Sequence, residues 1–191
     1  MRFPTLHTHR LTIRPFTATD WRAVYTYTAN PLVMTYIPEG TFSQAQAQAF
    51  VERHSSDQAE AGAVVLTAEQ HLIGHISFHA WFAPQTYEIG WVFNPDYYQH
   101  GYATEAARAL LTYGFATLHL HRIIATCQPE NPASYRVMEK LGMRREGHFQ
   151  QCIYRGDGVW WDELFYAILY EEWVGFEEAK SPQGSLAPRA P

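Results

Sequence analysis

Between residues 87 and 142 the chain runs through a strand-like segment, a glycine turn, an apolar-striped helix, a second strand-like segment and a short capped helix. This order constrains the fold more than any other feature. Two strands joined through a crossover helix lie parallel in one sheet, so residues 87–93 and 122–127 are expected side by side. The helix between them carries apolar residues at Ala107, Leu110, Leu111, Gly114, Phe115 and Leu118, one face for packing on that sheet, and should stop near His119. Asn131-Pro132-Ala133-Ser134 then opens a helix that Leu141-Gly142 closes.

The turn reads Y-Q-H-G-Y-A-T-E-A over residues 98–106. Gly101 can adopt backbone angles closed to other residues, and Ala103 leaves the first free amides of the helix uncovered. With the positive end of the helix dipole behind them, these groups make an anion site, for which phosphate is the natural occupant. The spacing is neither G-x-x-x-x-G-K-[ST] nor G-x-G-x-x-G. A different phosphate carrier is implied.

The rest of the chain supplies one core. A strand over residues 11–16 precedes Thr17-Ala18-Thr19-Asp20, whose side chains suit a helix start, and that helix should run to about Asn30. Ser43 and Gln46 have capping-box spacing, opening a helix to about Gln58. Residues 63–67, 72–80 and 87–93 read as an antiparallel meander, and 143–155 with 159–169 as a hairpin about Gly156-Asp157-Gly158. The fold class is therefore mixed α/β (α+β), a single domain over residues 1–178 with about four helices. The Ser/Pro/Gly/Ala-rich residues 179–191 read as a loose tail.

Composition narrows the function classes. A formal charge of −5 opposes general nucleic-acid binding, and 47% apolar residues describe a well-cored domain. The N-terminus lacks a signal-peptide apolar run and no stretch is long enough to span a membrane, so a soluble cytoplasmic protein is expected. Cys127 and Cys152 lie in apolar strand-like segments and are expected as buried reduced thiols. None of the ten histidines forms a helical metal-binding pair, and His75 with His79 shares only a strand face. No metal is expected.

Two longer stretches of the chain carry a family resemblance. Y-Q-H-G-Y-A-T-E-A followed by H-R-I-I-A-T-C-Q-P-E-N-P-A-S-Y-R-V-M-E-K-L-G-M resembles the GCN5-related N-acetyltransferases, most nearly the ribosomal-protein N-terminal acetyltransferase branch. The similarity extends from L-T-I-R-P-F to W-W-D-E-L-F-Y-A-I-L. It implies a mostly antiparallel sheet splayed at the parallel pair, with acetyl-coenzyme A as the phosphate carrier. Its pyrophosphate would rest on the amides of Gln99, His100, Gly101, Tyr102, Ala103 and Thr104. Tyr98 departs from the Arg or Gln common at its position. By the same resemblance a bulge around Gly90 would free backbone groups at Trp91, Val92 and Phe93 for the amide-bearing arm of the coenzyme, placing the thioester in the opening.

Direct transfer to an amine needs a base, an oxyanion donor and an acid for the departing thiolate. An amide near Val92 or Phe93 suits the oxyanion. Glu88 is the first candidate for base, against a solvent-facing strand carboxylate. Glu105 suits a helix N-terminus whatever the chemistry. Asp162 resembles an acidic position near the acceptor pocket, against hairpin scaffolding. The family tyrosine acid is replaced by Met138, and by the same resemblance Ser134, three residues after Asn131, matches the serine of ribosomal-type members and is the candidate acid, or else a helix cap, with Tyr135 as fallback; Asn131 is a coenzyme contact, an N-cap, or both. The resemblance favours a protein N-terminal α-amine as acceptor, then a small amine such as a polyamine, amino sugar or amino-acid derivative, and last a coenzyme A-binding module without turnover. Tyr36 and Glu39 are expected over the acceptor side. The aromatic strands at Trp81-Phe82 and Trp160-Trp161 suit a pocket wall or a homodimer contact.

Overall fold

The computed structural model describes residues 3–180. Strands Leu6–His7 (β1) and Leu11–Arg14 (β2) pair antiparallel and lead into helices Trp21–Thr28 (α1), Pro31–Met34 (α2) and Gln44–Arg53 (α3). Three antiparallel strands follow, Ala61–Leu66 (β3), His71–Ala80 (β4) and Thr86–Phe93 (β5). Helix Tyr102–Ala116 (α4) crosses to Arg122–Cys127 (β6), and Pro132–Lys140 (α5) leads to the long hairpin Arg144–Gly156 (β7) and Val159–Leu169 (β8). Helix Tyr170–Lys180 (α6) completes the described chain.

All eight strands join one sheet in the order β1-β2-β3-β4-β5-β6-β8-β7, and its one parallel pair among the described residues is β5 with β6. The striped face of α4 explains the larger core: Leu110, Leu111 and Ala107 are fully buried against Ile76, Ile89 and Ile123 on one side of the sheet. A second cluster on the other side packs Val24 and Tyr27 of α1 and Val51 of α3 against Ala63, Val65 and Leu72.

Local chemistry sets the element ends. Ser43 and Gln46 form the expected capping box, each side chain accepting from the other's backbone. The helix ends at Arg53, short of residue 58, because the Ser55 and Ser56 hydroxyls donate to the carbonyls of Val51 and Arg53 and close its last turn. Asp20 caps no forward amide of α1; its carboxylate turns back to accept from the Thr17 amide at 2.7 Å and from Arg14 at 2.7 Å.

Two helices lie beyond the four expected. Helix α2 is only four residues long, and α6 sets just Trp173 and Phe176 against the core, too sparse an apolar pattern to read. The expected domain end at 178 falls inside α6; the tail from 179 lies outside the described residues except at 179 and 180. Cys127 is buried, whereas Cys152 is exposed, correcting the expectation of two buried thiols. It sits on the sheet-edge strand β7, in the irregular stretch between Phe149 and Ile153. Among the described residues no helix is long and apolar enough to cross a membrane.

Candidate active site

The glycine turn has the geometry an anion site needs. Gln99 (φ 64°) and Gly101 (φ 80°) are left-handed, and no side chain caps α4, so the amides of Tyr102, Ala103 and Thr104 lack both helical and side-chain acceptors. His100 is turned back, its Nδ1 2.7 Å from the Tyr98 carbonyl and its ring stacked on Tyr102 at 5.5 Å. Arg10 completes the turn. Its guanidinium lies 4.5 Å from the Tyr102 ring centre, and its Nη2 is 3.7 Å from where a Cβ on Gly101 would stand.

Glu105 is fully occupied holding this arrangement. It accepts from the Thr8 hydroxyl at 2.6 Å, the Arg10 amide at 2.9 Å and the Arg10 Nε at 2.7 Å. Partial burial alone would raise its pKa, but these hydrogen bonds and the arginine charge outweigh burial and leave it lowered.

The sheet opens beside this turn. β5 and β6 pair only through Thr86, Tyr87 and Glu88 against Arg122, Ile123 and Ile124, and then diverge. The β4–β5 register is unbroken through Gly90, so no bulge produces the splay; Gly90 is small because a Cβ there would lie 2.7 Å from the Ser77 Oγ across the pair. The Asn94 amide bonds the Ile73 carbonyl and the Trp81 amide bonds the Thr86 carbonyl, each 2.8 Å, which fixes which β5 residues face β4. By strict alternation the backbone of Val92 is committed to β4, whereas Trp91 and Phe93 turn their N–H and C=O groups into the opening.

A cavity of about 660 Å³ occupies the opening on the α1–α3 side of the sheet. It brings together Glu88 and Val92 of β5, Thr126 and Cys127 of β6, Asn131, Ser134 and Met138, and Glu163 of β8. Tyr36 and Glu39 cover it, and the Tyr36 hydroxyl donates to the Glu130 carbonyl at 2.7 Å. Another concavity, about 780 Å³, runs along the outer side of α4 past Thr104 and Arg108, and holds neither Glu88 nor Ser134. Size therefore does not locate the chemistry; the convergence of polar groups does.

Glu88 faces the cavity, with the Thr126 hydroxyl 3.3 Å from its Oε1. Glu163 flanks the same hydroxyl, and its pKa is raised by burial, with the Glu88 charge adding and the Thr126 hydrogen bond opposing. The Asn131 side chain caps α5 by accepting from the Ser134 amide at 3.2 Å, which leaves the Ser134 hydroxyl to interact with Cys127. Burial pushes the Cys127 thiol up to about 11. Met138 is buried on the cavity floor, and Tyr135 packs partly into the larger core.

Asp162 serves the hairpin. It accepts from the Gln151 amide at 2.8 Å and meets His148 Nε2 at 2.6 Å, pinning the irregular stretch of β7. His75 is buried, its Nδ1 2.8 Å from the Tyr27 hydroxyl, and among the described residues no group of three His, Cys, Asp or Glu could hold a metal. Trp161 meets Tyr36 at 5.7 Å, whereas Trp160 points outward. Sequence reasoning missed Arg10, Thr126 and Glu163. Thr126 and Glu163 were readable in principle, since alternation along β6 and β8 sets both on the Glu88 face once the register is known.

An uncapped left-handed turn, a splayed parallel pair with free strand groups and an adjoining cavity rich in carboxylates fit an acyl-carrier-dependent transferase. The acetyltransferase (GNAT) domain model matches residues 10–144, and the chain belongs to that family, whose members use acetyl-coenzyme A. It is 60% identical to the uncharacterized N-acetyltransferase YnaD of Bacillus subtilis, over 87% of this chain and 97% of the relative. A GNAT-family acetyltransferase structure from Bacillus anthracis superposes with a TM-score of 0.85 at 55% identity, covering 88% of this chain and 99% of that one. The spermidine N(1)-acetyltransferase of Escherichia coli is 28% identical over 93% of this chain and 95% of its own. A putative ribosomal N-acetyltransferase, YdaF of Bacillus subtilis, matches at 33% identity over 46% of this chain and 48% of its own.

Proposed function

We propose that this N-acetyltransferase moves acetyl from acetyl-coenzyme A to a small cationic amine by direct attack. One observation carries the choice of acceptor: Glu39, Glu60, Glu88 and Glu163 line a single cavity in which Arg53 is the one arginine or lysine among the described lining residues. Such a lining concentrates ammonium groups. The near full-length match to a spermidine acetyltransferase supports this order over the protein N-terminus that the sequence placed first.

Each group then has a role. The pyrophosphate rests on the amides at Gln99 to Thr104, with Arg10 adding positive charge, and the coenzyme arm pairs with Trp91 and Phe93. Glu88 takes a proton from the ammonium, directly or through water, and the freed nitrogen attacks the thioester carbon. The Phe93 amide stabilises the oxyanion. When the C–S bond breaks, the nitrogen gives up its second proton to cavity water, and the Ser134 hydroxyl supplies the thiolate's proton and regains one from that water. The products are the acetamide, free coenzyme A and one released proton.

The test incubates the protein with acetyl-coenzyme A and, separately, spermidine, a diamine, an amino sugar and peptides with free Ala or Ser N-termini, reading thiol release and acceptor mass. Faster release with spermidine or the diamine than with the peptides supports the proposal. Release with peptides alone moves the acceptor to a protein, and coenzyme binding without amine-dependent release contradicts turnover.

A further inference from the structure

Glu88, Thr126 and Glu163 stand on the neighbouring strands β5, β6 and β8, and their side chains share the cavity face of the sheet. The registers bring them together: Glu88 pairs with Ile124, two residues before Thr126, and Thr126 pairs with Phe165, two residues after Glu163. Among the described residues neither carboxylate has a salt-bridge partner, whereas Asp20, Glu105, Glu146, Glu172 and Glu177 each meet an arginine. A threonine hydroxyl has one proton to give. Donated to Glu88, it is withheld from the Glu163 carboxylate, whose ionised form a Thr126 hydrogen bond would otherwise favour, and the hydroxyl oxygen is left to accept from a protonated Glu163 carboxyl. The three-group network is complete only when the two carboxyls hold one proton between them.

We infer that Glu88 and Glu163 act as a proton-sharing pair joined by Thr126, with Glu163 the positioning residue that sets how strongly Glu88 takes the acceptor's proton. The inference rests on the reading of Glu88 as proton acceptor. Burial and the Glu88 charge both favour a proton on Glu163, against a Thr126 hydrogen bond to its ionised carboxylate, and leave its pKa raised. In the reaction the ammonium proton passes to Glu88, its electron pair forms the N–C bond, and the pair returns its extra proton to cavity water.

Arg53 and His54 at the end of α3 and Glu60 before β3 face the same cavity. His79 stands directly across from Glu88 on β4, and Cys127 on β6 and Cys152 on β7 flank Glu163. Tyr36 and Glu39 face the cavity from the segment after α2, and Asp162 is held by Gln151 and His148. Arg155 is turned onto the Trp161 ring at 4.3 Å and the Thr35 carbonyl at 3.3 Å.

Carboxyl NMR titration of the free protein, labelled at Glu side-chain carbon, tests the pair without any acceptor. In wild type the Glu163 step should lie above the usual glutamate range. Glu88→Gln, which keeps the shape and removes the neighbouring charge, should move it down, and Thr126→Val should shift it as well. With spermidine as acceptor, Glu163→Gln should lower kcat/KM and alter its pH profile. A Glu163 step unmoved by Glu88→Gln overturns the pair. If the coupling is present but Glu88→Gln keeps full turnover, the role of Glu88 itself fails, a distinct outcome.

Discussion

The Glu105 carboxylate sits 2.7 Å from the Arg10 Nε, so the first turn of α4 is tied to the hairpin that begins the sheet. The pair explains why a carboxylate stands where a phosphate would arrive: it is neutralised by Arg10 and turned aside toward Thr8. Glu105→Ala should cost about 2 kcal/mol, the scale for losing charged hydrogen bonds at a partly buried site, and lower Tm by about 4–8 °C. Because its folded pKa is lowered, the stabilisation is present above the unfolded carboxylate pKa and lost as pH falls through the folded value. Thermal melts at pH 7 and pH 3 check this: the gap between wild type and variant should shrink in acid.

Gly101→Glu should weaken coenzyme A binding at least ten-fold. The substitution forces a side chain into a left-handed position and aims a negative charge at the pyrophosphate. Isothermal titration with coenzyme A measures it, and unchanged affinity would count against the turn as the phosphate grip.

Ser134→Ala separates acid catalysis from capping. The cap is made by the Asn131 side chain to the Ser134 amide, which alanine retains. Turnover should fall ten-fold or more while coenzyme affinity and melting temperature stay within experimental scatter. A drop in stability with unchanged kcat would assign the hydroxyl to its contact with Cys127 instead.

His75 makes stability pH-dependent. Burial holds its pKa down to about 3, with His54 adding to the effect, so the folded state keeps it neutral while the unfolded chain protonates it near 6.5. Stability is therefore lost as pH falls below 6.5, by about 2 kcal/mol at pH 5. His75→Gln removes this dependence. The melting-temperature gap between wild type and variant should narrow from pH 7 to pH 5, and a constant gap would contradict the account.

What was legible in the sequence was local or periodic. The Ser43 and Gln46 capping box, the Gly156-Asp157-Gly158 hairpin and the α4 stripe each lie within one or a few turns of chain, where spacing fixes geometry. The single parallel pair followed from the crossover rule. What was not legible depended on distant partners. Arg10 reaches Gly101 only because β2 passes beside α4, and Glu163 meets Glu88 only across β6. Cys152 looked buried because its neighbours are apolar, yet an edge strand exposes such a segment.

Backbone amide NMR with and without coenzyme A tests the central claim most directly, since the site is built from N–H groups. Largest shifts should fall on Tyr102, Ala103 and Thr104 at the turn and on Trp91 and Phe93 at the splayed strand, with Val92 moving less because its amide is bonded to β4. Shifts confined to Leu6, Thr112 and Thr117 along the outer groove of α4, with Trp91 and Phe93 unmoved, would contradict it.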